Sequence, residues 1–191
     1  MPPAARDVLE FWFDTAQKVH WFEKNAAFDA QIRSRFGGLH HQAADGELDS
    51  WTLEPESWLA LLIMLDQFSR NLYRDDARAY AADAKVCNIL LPGLARGDDK
   101  QLSTIQRVFV YVPLEHAEDL NLQNRAIDMF TQLSKDVSLD DRPTYLNFLD
   151  YARRHRDIIA RFGRFPHRNQ VMGRVSTAAE LAYLAEPSAG F

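Results

Sequence analysis

Cysteine is nearly missing from this chain: Cys87 stands alone among 191 residues. One cysteine closes no internal disulfide, so nothing points to an exported, stapled scaffold, and a cysteine-built zinc site is excluded. The expected setting is a reducing cytoplasm. Cys87 lies in an apolar helical run, residues 86–91, and reads there as a small buried hydrophobe rather than a nucleophile. Long apolar runs are also scarce. The longest, residues 58–65, is eight residues, against about 20 for a membrane span. The opening residues, Met-Pro-Pro-Ala-Ala-Arg-Asp, lack the charged-then-apolar pattern of a secretory signal. Low-complexity stretches, a Gly-rich phosphate loop and a Gly-x-Ser-x-Gly elbow do not occur. With no cofactor motif, no cofactor is expected.

What is present suits one globular domain across residues 1–191: 47% apolar and 26% charged residues, with no composition shift that marks a linker. The charge is uneven. Residues 153–174 hold seven arginines, no lysine and a single acid, Asp157, so that segment is +6. The whole chain is −5, which leaves −11 for the remainder. An acidic chain with one arginine-rich segment fits a local anion site better than a nucleic-acid surface.

Strand-like alternation is rare and the apolar spacing is helical nearly throughout. The pattern predicts helices over residues 4–13, 22–41, 55–73 and 77–95. A fifth starts at the Ser103-Thr-Ile-Gln106 capping box and ends or kinks at Pro113, and a sixth covers 114–133. A seventh runs from Pro143 to Gly163, and the last begins at Thr177-Ala-Ala-Glu180. Residues 45–54 read as a loop with Trp51 packed back on the core. The 55–73 helix is apolar around almost its whole circumference, so it is central. His40-His41, near a helix end, read as surface. The expectation is an all-α bundle or short array of about eight helices around one core, with no visible repeat period.

Three stretches break the amphipathic pattern. In Asp66-Gln67-Phe68-Ser69-Arg70-Asn71 the acid stands four residues before the arginine, the spacing of an in-helix ion pair. This is either a buried clamp or a place where Asp66, Arg70 and Asn71 face a ligand. In Pro113-Leu114-Glu115-His116-Ala117-Glu118-Asp119, carboxylates beside His116 would raise its pKa and set its tautomer, as a general base needs. Glu118 or Asp119 would orient it. The same acids would equally complement a helix N-terminus, and the group is too thin for a metal site. In the third, His155 lies on an inward stripe and needs a hydrogen-bond partner. The turn Phe162-Gly163-Arg164-Phe165-Pro166-His167-Arg168-Asn169 then gathers arginines and backbone N–H groups. Arg161, Arg164, His167, Arg168 and Asn169 there make either a phosphate or carboxylate site or an arginine–aromatic corner.

These three segments, with Phe11-Trp12-Phe13, Trp21-Phe22 and the loop Gly46-Glu47-Leu48-Asp49-Ser50-Trp51, resemble the bacterial family catalogued as domain of unknown function 924. The resemblance covers nearly the whole chain, in order. It implies a tetratricopeptide-like array of paired antiparallel helices and no agreed reaction, cofactor or substrate. That family often has serine where this chain has Ala117, so a nucleophilic hydroxyl at that position is missing here.

Function is not legible beyond two readings. One is a binding module whose cleft, lined by arginine and histidine, takes a small anionic molecule or an acidic peptide. The other is an enzyme with His116, Glu118 and His155 as catalytic groups acting on an anionic substrate held by the arginines. No membrane partner is expected, and nucleic acid is disfavoured by the sign of the charge.

Overall fold

Residues 58–65 carry no charged side chain, and the helix that holds them is buried on every side: each of the eight is 0% exposed. Its setting is seen in a computed structural model that describes residues 1–186. Among the described residues the chain is all-helical, with eight helices if α3 and α4 are counted as one continuous run, and no strand. They are α1 (Pro3–Phe13), α2 (Ala26–Asp45), α3 (Pro55–Ile63) and α4 (Ser69–Leu72), then α5 (Asp83–Arg96), α6 (Thr104–His116), α7 (Leu120–Asp136), α8 (Arg142–Phe162) and α9 (Ala178–Leu184). No helix is long and apolar enough to cross a membrane.

The chain divides into two compact units, one of residues 1–74 and 78–113, the other of residues 75–77 and 114 onward. In the first, α3 opens on Pro55, whose fixed φ and missing N–H suit a first helical position. It passes through one turn of π-helix, Met64–Phe68, into α4. Around it α1 and α2 contribute an aromatic cluster. Phe11 stacks on Phe28 at 5.5 Å and meets Phe36 at 5.2 Å, and Trp12 meets Phe68 and Phe109 edge-on at 5.7 and 5.3 Å. Trp51 is buried, as its place after the polar loop predicts.

In the second unit α7 and α8 pack along each other. Asp119 caps α7, its carboxylate accepting from the N–H groups of Asn121 and Leu122 at 2.8 and 3.0 Å. The apolar stripes meet through Phe130 against Phe148, beside buried Leu133, Tyr145, Leu149 and Ala152. A smaller cluster of Ile158, Ile159, Phe165 and Tyr183, with Phe162 and Leu184 against it, holds α9. The Thr177–Glu180 capping box forms in both directions.

Expectations about helix ends change in four of the helices. The fourth starts at Asp83 rather than at 77, because residues 77–80 form a separate 3-10 turn, and it runs to Arg96. The second helix starts at Ala26, because Asn25 accepts from the Phe28 N–H and so caps it, and it runs on to Asp45, beyond residue 41. The fifth does not stop at Pro113 but continues to His116, so the proline sits inside it. The sixth starts at Leu120, not 114, because the break falls at residues 117–119, where Asp119 supplies the cap. His40 is also not a surface residue: with α2 longer, it extends the inward stripe of Phe28, Ile32 and Phe36 and is 3% exposed. Cys87, expected to be buried, is half-buried.

Candidate functional site

The first motif lies at the π-turn of the first unit. A π-turn adds a residue to a helical turn and turns the following side chains to a new face. Asp66, 1% exposed, is bonded by Arg70 Nη1 at 3.0 Å and by Gln67 Nε2 at 2.6 Å. Arg70 also donates through Nη2 to both oxygens of Asp83 at 3.2 Å and lies over the Tyr80 ring. Burial would lower the Arg70 pKa, but Asp66 and Asp83 outweigh it and the value rises. Asn71 donates to Asp29 at 2.7 Å, and Arg74 clamps the same carboxylate with two bonds of 2.9 Å. Of the three residues singled out here, Arg70 and Asn71 therefore hold acids of their own unit, and Asp66 is one of the acids held.

Beside them is a pair that the sequence motif did not flag. Ser69 Oγ donates to the Leu65 carbonyl at 2.6 Å and lies 2.8 Å from His40 Nε2. With the hydroxyl proton given to the carbonyl, His40 Nε2 is the donor, and Nδ1 is a buried acceptor with no partner among the described residues. Burial, and then His41, lower His40 to about 4. The signal available in the sequence was the i, i+4 relation of Phe36 to His40 on an unbroken helix.

The other two motifs meet in the second unit, around the turn at residues 163–176. Gly163, at φ +70°, ends α8 in the left-handed region that favours glycine, and its N–H returns to the Ile159 carbonyl. Phe165 is the hub, 0% exposed. Arg168 lies over its ring at 4.4 Å, and the rings of His155 and His167 stand 5.7 and 5.5 Å from it. His116 is 6.0 Å from His155, ring to ring.

His155 is buried as its stripe predicts, and its partners are the Tyr151 carbonyl, 2.8 Å from Nδ1, and the Glu115 carboxylate at 3.4 Å. A carbonyl only accepts, so Nδ1 carries the proton and Nε2 the lone pair. Burial, then the neighbouring His116, press His155 down to about 3. Desolvation and Arg168 press His167 to about 4. Both rings are neutral at pH 7.

Glu118 accepts the Phe165 N–H at 2.8 Å and a two-pronged grip from Arg174, at 2.6 and 2.9 Å. Burial alone would raise its pKa, but Arg174 and the backbone bond outweigh this and lower it. Arg164 grips Glu180 in the same way at 2.6 and 2.8 Å, which holds Glu180 down to about 2 and the Arg164 pKa up. Arg161 lies over Phe162 at 4.7 Å. Asn169, 1% exposed, donates to Ser176 at 3.0 Å. Among the described residues no group of three or more histidines, cysteines or acids is arranged to hold a metal ion.

A cavity of about 520 Å³ opens against this turn. Its lining is polar at His167, Gln170, Arg174 and Ser176 and apolar at Pro166 and at Leu181 and Leu184 of α9. Gln170, Arg174, Ser176 and the two leucines were not singled out from the sequence. The arginine run pointed to the turn, but the α9 wall joins it only through the fold.

No curated protein matches the chain. A solved structure of a protein of unknown function from Agrobacterium tumefaciens is similar, with 42% identity, a TM-score of 0.84, and 95% of this chain and 96% of that one covered. The family described as "Bacterial protein of unknown function (DUF924)" matches residues 8–188. With nearly the whole length matched in sequence and a relative of that identity alike in fold, the chain belongs to this family.

Proposed function

We propose that this chain is a cytoplasmic binding module for a small anionic molecule with an apolar portion, held in the cavity beside the 163–176 turn. The lining of that cavity carries the reading. Among the described residues Arg174 is its only formally charged lining residue and no acid lines it, and hydrogen-bonding groups share the lining with leucine side chains. At about 520 Å³ it falls in the range of small-molecule sites, which combine an apolar wall with a few placed polar groups. The lone, half-buried Cys87 supports the cytoplasmic setting.

The acid–base alternative has less support. A general base works best with a pKa near the working pH, whereas His155 sits at about 3 and His167 at about 4. Glu118, the expected orienting acid for His116, has both oxygens bonded to Arg174 and the Phe165 N–H. As neutral rings the two histidines serve recognition better than proton transfer.

A thermal-shift screen of small carboxylates and phosphorylated metabolites tests the proposal. A ligand at 100 times its Kd stabilises the fold by about 2.7 kcal/mol, a shift of several degrees at this size. Leu181 is 59% exposed, so Leu181→Asp should leave the fold intact while removing apolar wall and adding a repelling charge. The hit should vanish in that variant. A hit that binds Leu181→Asp unchanged, or a library with none, counts against this site.

A further inference from the structure

Glu118 occupies a complete carboxylate site. Its oxygens take one backbone N–H, from Phe165, and two guanidinium N–H groups, from Arg174. Paired N–H donors of this kind are what recognise a carboxylate of any origin. The same Arg174 lines the cavity, and its Nε is buried with no partner among the described residues. One arginine thus holds an internal acid and lines an open space that also has apolar lining residues.

We propose that Glu118 is a built-in stand-in for the ligand, and that the cavity takes an aliphatic carboxylic acid whose carboxylate replaces Glu118 on Arg174 and the Phe165 N–H. This rests on the binding reading above and adds the ligand class and the exchange. Glu118 lies in the break between α6 and α7 with its side chain 25% exposed, so it leaves for water without stranding a buried charge. The arriving carboxylate keeps Arg174 paired, and the count of charge-assisted bonds is unchanged. Selectivity follows from the tether. An attached carboxylate competes at an effective concentration in the millimolar range or above, so an acid with no tail does not displace it. A tail against Leu181, Leu184 and Pro166 adds roughly fourfold per buried methylene.

Isothermal titration of the full chain with sodium acetate and sodium hexanoate tests this in the wild type, Glu118→Ala and Glu118→Gln. The wild type should bind hexanoate and give no acetate signal. Glu118→Ala should bind hexanoate at least tenfold tighter and gain measurable acetate binding. If Glu118→Ala does not fold, Glu118→Gln carries the comparison, since its amide still accepts the Phe165 N–H but has no charge to hold Arg174. Equal hexanoate affinity in wild type and variants overturns the exchange while leaving the binding module standing. Acetate binding in Glu118→Ala, with no anion bound by the wild type, also overturns it, because the internal acid is then permanent. No binding of either acid to any of the three overturns both.

Discussion

Gly93 lies inside α5, one residue after Pro92, where ordinary helix propensity favours alanine. The fold forbids it. A Cβ placed on Gly93 would lie 3.0 Å from Trp58 Cη2 and closer still to Cε2 and Cζ2 of the same ring. Carbon atoms in contact prefer about 3.5–4.0 Å. The indole has nowhere to move: Trp58 is 0% exposed and its Nε1 donates to the Ile89 carbonyl of α5 at 3.2 Å. Overpacking of a tight core costs about 1–3 kcal/mol, and relieving glycine of its flexibility returns about 1 kcal/mol. Two ring atoms lie closer than a real Cβ contact allows, so the cost falls at the upper end of that range, for a net loss of about 2 kcal/mol in Gly93→Ala. Urea unfolding should show that loss, and the midpoint of thermal unfolding should fall by about 4–8 °C. Gly38 is the control. It sits in the middle of α2, is exposed, and has nothing within 4 Å of its would-be Cβ. Gly38→Ala should therefore gain about 0.5–1 kcal/mol. Wild-type stability in Gly93→Ala, with the expected gain at Gly38, would refute the claim that α5 and α3 approach through this residue.

The buried histidines set an acid-side slope. His40 and His155 stay neutral in the fold down to about 4 and about 3, whereas the unfolded chain protonates them near 6.5, so stability is full above pH 6.5 and falls as the pH drops below it. Each contributes up to about 1.4 kcal/mol per pH unit in that window, and His155→Gln should flatten the slope of unfolding free energy against pH measured from 6.5 to 4. Glu180, held at about 2 by Arg164, adds stability that is complete above the ordinary carboxylate range and lost as the pH falls from there toward 2. Arg164→Ala should shrink that loss, and because a seven-residue helix does not stand alone, it should also speed amide exchange in α9. Phe130→Ala, which empties the centre of the α7–α8 seam, should cost about 3–5 kcal/mol by denaturant unfolding.

The spacing of apolar residues told most about helices whose ends carry their own chemistry. The Pro55 start, the Thr177–Glu180 box and the Gly163 stop all fall where the sequence puts them. So does the all-round burial of residues 58–65, because no polar residue in that run offers a solvent face. Of the two alternatives at Pro113, an end or a kink, the end does not hold, for a physical reason. Proline forbids one hydrogen bond to the preceding turn but does not stop the next residues from bonding, and α6 continues for one more turn. The π-turn at Met64–Phe68 was not legible at all, since its extra residue leaves the apolar pattern of a fully buried helix unchanged. His40 was legible in the i, i+4 stripe that runs through Phe36, a signal its place near a helix end obscured.

Of the candidates singled out from the sequence, only His167 is among the described residues that line the cavity. Seven arginines in residues 153–174 read as a positive patch. In the fold, two of the partly buried ones are answered by carboxylates distant in the chain: Arg174 by Glu118, 56 residues earlier, and Arg164 by Glu180, 16 residues later. A partly buried guanidinium needs a partner, and a folded chain supplies its own before any ligand arrives. Arginine density in a turn therefore first foretells acids in the same chain. Arg164 closes its pair outside the lining of the cavity described, whereas Arg174 holds its acid and also lines that open space. That double duty singles out Arg174, and under the proposed exchange the strength of the Glu118 bond is the quantity that would set how tightly an acid binds.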